Sequence, residues 1–293
     1  MLADGISYAL LAALVWGCYL FGLKRFFGAV PGAVLTLVVN TCAVAWYLPI
    51  ALYVGSPVAA AGELATAPPA ALGSVALTIV SGAAAFLLFL RALGAGEVSY
   101  VAPISKVVPA FVLPLELLLF QTALRPVEIL GILVVTVAVY LANYEGGGLL
   151  VPFQRVTTSR AAQFALLSAA GYAVSDLGKR VALQSVGIPP TLWVPLFLTG
   201  IGVLVAPLAF RAWPEEGLDD PWKFVVAGAG VALGEHVTTL AFSLTSASVA
   251  AAVVNGQAVV AVLLGAVFLR EERPGIRLAA AVLTVCGVGL IAL

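Results

Sequence analysis

The chain has 293 residues, 62% of them hydrophobic and only 10% charged, with a mean hydropathy of +1.13. Soluble domains carry roughly 45–50% apolar and about 25% charged residues, so these charges are too few to cover a water-facing surface. Lys+Arg and Asp+Glu stand at 14 each; that balance and this composition exclude disorder, a coiled coil, a disulfide scaffold and a nucleic-acid binder.

What remains is a polytopic membrane protein. The start, Met1-Leu2-Ala3-Asp4, lacks the basic region of a secretory signal, and the apolar stretch after it reads as a first span. A helix crosses the hydrocarbon core with about 20 mostly apolar residues. That length predicts about ten spans: 6–26, 31–54, 70–91, 97–121, 126–143, 161–182, 189–210, 222–245, 246–269 and 275–293. Pro31, Pro57, Pro68-Pro69, Pro126, Pro189-Pro190, Pro221 and Pro274 fall at the boundaries and punctuate them. Strands are disfavoured, because the apolar runs are long and do not alternate. Cys18, Cys42 and Cys286 all lie in apolar segments and suggest neither a disulfide nor a metal site.

The stretch 144–160 is glycine-rich and polar near the middle of the chain, as a linker between residues 1–143 and 161–293. The two parts are alike. Ala9-Leu10-Leu11-Ala12-Ala13 recurs as Ala165-Leu166-Leu167-Ser168-Ala169, and Gly22-Leu23-Lys24-Arg25 as Leu177-Gly178-Lys179-Arg180. Leu93 to Ser99 has a counterpart in Leu244 to Val249, and Phe120 to Pro126 in Phe268 to Pro274. Each half then holds about five spans, and an odd number inverts the second repeat. Inverted repeats mark secondary transporters, with the substrate site near the midplane at the repeat interface. The fold class is therefore an all-α polytopic membrane protein of two inverted five-helix repeats.

Trp16-Gly17, Pro31, the run Leu90 to Ile104, and Phe268-Leu269-Arg270-Glu271-Glu272-Arg273-Pro274 before an Ala/Gly-rich last helix together resemble the EamA-type branch of the drug/metabolite transporter superfamily. The resemblance spans nearly the whole chain. It implies a ten-helix carrier of two inverted repeats, usually an exporter or exchanger of small metabolites. The chain departs from the family pattern at Gln121-Thr122, where an acidic residue is frequent, and in lacking a mid-span proline in the second repeat.

Few polar groups are deep, and each costs roughly 2.5–3.5 kcal/mol at a helix centre if charged. Lys106 lies between Pro103 and Pro109 in the fourth span, a bent helix with opened carbonyls and one ammonium. This suits an anionic group, or else a structural lysine paired with a buried carboxylate. Asn255 and Gln257 flank Gly256 in the ninth span, where Lys106 maps under the repeat. They are cavity amides for a zwitterion or interhelical glue. Glu235 is the expected counter-ion of Lys106, and His236 is placed to exchange a proton. Asn40 in the second span is cavity-lining or glue. Asp176 is expected to pair locally with Lys179 and Arg180 at i+3 and i+4.

With the N-terminus on one side, loops after odd-numbered spans collect ten of the basic residues and those on the first side three, Lys106 lying within the membrane. The positive-inside rule then puts both termini outside, whereas the family resemblance suggests cytoplasmic termini; the count is preferred. The sequence is expected to encode a secondary transporter of the cytoplasmic (inner) membrane, moving a small polar metabolite, an amino acid or related zwitterion, by export or exchange. Its partners are that substrate and the lipid bilayer, as a monomer or homodimer, with no nucleic acid. No cofactor is expected, and without G-x-x-x-x-G-K-[ST] nucleotide does not drive it directly. Coupling comes from a proton, from exchange or from facilitation. A flippase of a lipid-linked sugar and an intramembrane enzyme are the alternatives. The enzyme reading has only His236 for a triad and neither H-E-x-x-H nor G-x-S-x-G.

Overall fold

The computed structural model describes residues 2–95, 101, 104–142, 150, 154, 157–268 and 274–293. The described residues form helices: α1 (Leu2–Phe26), α2 (Gly32–Val54), α3 (Pro57–Ala65), α4 (Pro69–Ala95), α5 (Val108–Phe120) and α6 (Pro126–Ala142) in the first half. The second half holds α7 (Arg160–Arg180), α8 (Pro190–Arg211), α9 (Pro221–Leu244), α10 (Ala247–Asn255), α11 (Gln257–Phe268) and α12 (Pro274–Ala292). Most of the expected linker and the charged stretch 269–273 lie outside the described residues.

The punctuating prolines do what their chemistry requires. Pro57, Pro69, Pro126, Pro190, Pro221 and Pro274 each open a helix, where the missing N–H has no intrahelical partner to lose. Ser159 and Ser246 cap α7 and α10, their hydroxyl oxygens accepting from the amides of Ala162 and Val249. α7 ends in one π-helical turn, Val181–Ser185.

Six helical stretches are long and apolar enough to cross a bilayer: α1, α2, α4, α8, α9 and α10 with α11 taken together. Three shorter apolar helices join them, α5, α6 and the Leu278–Ala292 part of α12. The expected count of ten is thus met only in part. α7 falls in neither group, because Arg160, Asp176, Lys179 and Arg180 lower its hydropathy. The short α3 was not expected; it occupies the stretch between the second and third spans.

The larger helix interfaces join one half to the other: α1 to α9, α4 to α7, α2 to α8 and α6 to α12. Under the repeat the first two exchange with each other and the last two map onto themselves, as a two-fold relation between halves demands. α7 runs antiparallel along α4, since the Ser168 hydroxyl donates to the Ala85 carbonyl (2.7 Å) and the Ser175 hydroxyl to that of Thr78 (3.0 Å). Asn40 of α2 likewise donates to the Leu198 carbonyl of α8 (3.2 Å) and Tyr47 to that of Pro190 (3.2 Å).

Small residues allow these close approaches, as in membrane helix pairs generally. At the α6–α12 crossing a Cβ on Gly131 would lie 2.6 Å from the Gly287 carbonyl oxygen, and one on Gly287 would lie 2.9 Å from that of Gly131. Gly131→Ala is therefore expected to lower the unfolding free energy by about 1–3 kcal/mol, the usual overpacking cost. Gly22→Ala, whose Cβ meets nothing within 4 Å, is expected to be neutral or slightly stabilising. Thermal unfolding of the two variants in the same detergent checks the contrast.

Candidate functional site

The fourth and ninth spans are both interrupted, and in the same way. In the fourth, Ile104 and Ser105 are helical, Lys106 lies in a turn, and α5 starts at Val108. The Val107 amide donates to the Ile104 carbonyl (3.2 Å) and the Ala110 amide to that of Val107 (2.9 Å). In the ninth, α10 stops at Asn255, Gly256 turns, and α11 starts at Gln257. The Gly256 amide donates to the Val253 carbonyl (3.0 Å) and the Val259 amide to that of Gly256 (2.9 Å). The two breaks thus share one pattern of tight i→i+3 bonds, and in register Lys106 takes the place of Asn255. Pro109 accounts for the first break, since it cannot donate to Ser105. Interrupted segments at corresponding places in two halves are the best structural pointer to a transporter's binding site.

The expected site residues divide at this point. Lys106 is partly exposed and, among the described residues, makes no hydrogen bond or ion pair. Gln257, partly exposed beside the second break, also has no hydrogen-bond partner for its amide among the described residues. Asn255 satisfies itself, its Nδ2 donating to the Ala251 carbonyl one turn back (2.8 Å). Asn40 ties α2 to α8 as described above.

Glu235 is not the counter-ion of Lys106. It is buried and accepts from Nζ of the buried Lys179 at 2.7 Å, joining α9 to α7. The Phe197 ring, 4.5 Å from the same ammonium, covers it. His236 turns elsewhere: its Nδ1 shares a 2.8 Å hydrogen bond with the Tyr47 hydroxyl of α2. It lines a cavity of about 280 Å³ with Tyr47, Thr191 and Trp46. Adjacent residues on a helix lie about 100° apart, so Glu235 and His236 face different neighbours. A larger cavity of about 470 Å³ between α1 and α9 is walled by apolar groups such as Leu14, Phe26 and Trp222, and holds none of the expected site residues.

The local pairing expected of Asp176 is also replaced. Lys179 is taken by Glu235, and Arg180 by Glu116 of the first half, leaving the partly exposed Asp176 without a hydrogen bond or ion pair among the described residues. Glu116 is fully buried. It accepts from Arg180, from the Ala247 and Ser248 amides that open α10 (2.7 Å each), and from the Ser248 hydroxyl. Arg180 also donates to Thr122 (2.9 Å). Gln184, one turn on, donates to the carbonyls of Phe242 and Thr245, both at 2.7 Å. This lock gathers the ends of α5, α7 and α9 and the start of α10 at the end of the bundle that holds Leu2. A carboxylate at a helix start also meets the positive end of the helix dipole.

A family model described as the EamA-like transporter family matches residues 3–144 and again 159–293. The chain belongs to the EamA-like transporter family. It is thus an integral membrane protein of transporter ancestry, built as the two repeats of that family. A search of the curated proteins finds no match. One crystal structure of a protein is similar over 98% of this chain and 96% of its own, with a TM-score of 0.78 at 17% identity, a likeness of fold.

Sequence reasoning missed the lock and the role of Lys179. A signal was present: Glu116 and Arg180 both lie one turn from the end of their spans, on the same side of the membrane. Opposite charges at equal depth are candidates to pair. The paired and unpaired charges should respond differently to mutation. Glu116→Ala and Lys179→Ala strand a buried charge or orphan its partners and are expected to cost about 3–5 kcal/mol. Lys106→Gln and Asp176→Asn remove charges that have no partner among the described residues, and are expected to change stability by less than about 0.5 kcal/mol or to raise it. Unfolding curves of the four purified variants test this division.

Proposed function

We propose that the chain is a secondary transporter of a small polar metabolite, an amino acid or related zwitterion, moved by export or exchange. It works by alternating access, one repeat rocking against the other around a site at the two helix breaks. The observation that carries this reading is the unpaired Lys106 at a break repeated in the ninth span. A lone ammonium beside the start of α5, where the helix dipole is positive, suits a carboxylate or another anionic group. Gln257 and Asn255 at the matching break offer donors and acceptors to the remaining polar groups.

The lock of Glu116, Arg180 and Ser248 supports a state closed at the Leu2 end. A gate of hydrogen bonds between whole helices can break without unfolding either half, which alternating access requires. The positive-inside count supports the cytoplasmic membrane with the Leu2 end outside. A second reading, a flippase of a lipid-linked sugar, draws on the lateral cavity between α1 and α9. Its walls are apolar, with only Lys223 to meet a charged head, so it ranks below the first.

Counterflow in proteoliposomes tests the proposal. Vesicles holding purified protein are loaded with unlabelled amino acids, and the entry of labelled ones is followed with and without a pH gradient. Saturable, competed entry is expected, and Lys106→Ala is expected to abolish it while leaving the protein folded. Normal transport by that variant would remove Lys106 from the site. If His236 carries a coupled proton, uptake varies with pH and the variation disappears in His236→Ala. A flat profile from about pH 5 to 8, unchanged by His236→Ala, excludes that residue as the carrier.

A further inference from the structure

Four charges deep in the bundle are used up by two ion pairs, Lys179 with Glu235 and Arg180 with Glu116. Among the described residues, two deep charges of opposite sign are left without a hydrogen bond or ion pair: the Lys106 ammonium and the Asp176 carboxylate. Neither is sealed in protein, since both side chains are partly exposed and neither holds a buried unpaired atom. They sit on neighbouring segments, because α5 packs against α7. They do not touch each other.

We infer that Asp176 is the binding residue for a substrate ammonium, and that Lys106 and Asp176 together select an α-amino acid by its two charged ends. This rests on the reading of Lys106 as the anion-binding group and names the residue for the other end, which the sequence alone assigned to Glu235.

Local charge favours a cation there. Asp176 lies within electrostatic reach of Glu235 and Lys179, and these two neutralise each other, so neither serves as its counter-ion. Lys179 cannot supply the missing charge, being held on Glu235 at 2.7 Å and covered by Phe197. Tyr172, one turn before Asp176 and also within its electrostatic reach, provides an aromatic neighbour. The other acidic group on these contacting helices, Glu116, is fully buried and already saturated by Arg180, Ser248 and the Ala247 amide.

α5 and α7 run the same way and meet at the Glu116–Arg180 pair. Lys106 lies about 15 Å of helical rise before that pair and Asp176 about 6 Å, so their backbones are offset by about 9 Å along the bundle. That offset lies within the combined reach of a lysine side chain, an aspartate side chain and a small zwitterion held by a hydrogen bond at each end.

Proteoliposome counterflow with paired substrates decides the matter. The probes are a labelled amino acid, chosen as the best of the twenty common ones in wild-type vesicles, and its α-hydroxy acid, which replaces the ammonium with a hydroxyl. Wild type is expected to prefer the amino acid by at least about tenfold, the usual value of a charge-assisted contact. In Asp176→Asn that preference is expected to fall to within about threefold, through loss of amino-acid entry, while Asp176→Glu keeps it. Lys106→Gln is expected to lose both substrates.

Equal entry of the two probes in wild type overturns the proposal without any variant. So does an unchanged preference in folded Asp176→Asn, or an equal loss of both probes there. If Lys106→Gln carries both probes normally, the reading of Lys106 fails instead, whatever Asp176 does. A wild-type protein that is folded in vesicles and carries no amino acid overturns both.

Discussion

A charge inside a bilayer must be paired or must reach water, because hydrocarbon solvates neither sign. That constraint organises this chain. Its core is mostly Ala, Val and other apolar residues packed closely between the two halves, and the few buried hydroxyls, such as those of Ser168 and Ser175, are bound to backbone carbonyls. Every deep charge therefore has a definite fate. Lys179 and Glu235 neutralise each other between α7 and α9. Arg180 and Glu116 do so between the halves, and the spare lone pairs of Glu116 serve the opening amides of α10. Lys106 and Asp176 have no such partner among the described residues.

The frame and the lock obey different symmetries. The helix contacts between halves follow the repeat, and so do the breaks at Lys106 and Gly256. The lock does not. The stretch Val260 to Phe268, which corresponds to the part of α5 holding Glu116, contains no acidic residue. A mirror state closed at the other end would lack this carboxylate and its four bonds. On the proposed alternating-access reading, this lock favours the state closed at the Leu2 end over one that lacks it. A substrate shifts such an equilibrium only through the difference in its contacts with the two states.

Much of this was legible in the sequence. Hydropathy located the helices, proline marked their starts, and the recurring Ala-Leu and Gly-Lys-Arg patterns exposed the two halves. The bend at Lys106 was visible because Pro109 removes a specific hydrogen bond. The break at Gly256 was not, since no proline announces it and glycine is frequent in membrane helices. The pairing of charges was the least legible part. Spacing along one helix gives the depth of a charge but not the rotation of its neighbours. Asp176, Lys179 and Arg180 satisfied the i,i+3 and i,i+4 rule on paper. In the fold, Glu235 and Glu116 are presented to the two cations by other helices, at desolvated sites where a short contact is worth far more than an exposed local pair.

The sign of the two unpaired groups carries a further consequence. A single unmatched ammonium would make the empty site positive and the filled site neutral, so each transport cycle with a monovalent anion would move charge. Moving one elementary charge across a membrane is worth about 2.3 kcal/mol per 100 mV. On the proposed reading, with both groups ionised, Lys106 and Asp176 would cancel in the empty site, and a zwitterion would leave that balance unchanged. Loaded and empty carriers then feel the membrane potential alike. The potential neither drives nor opposes such a substrate, and net movement follows its own gradient or that of whatever it is exchanged for. A carrier of this kind would need no buried charge to be created or destroyed as it turns over, which fits a largely apolar core.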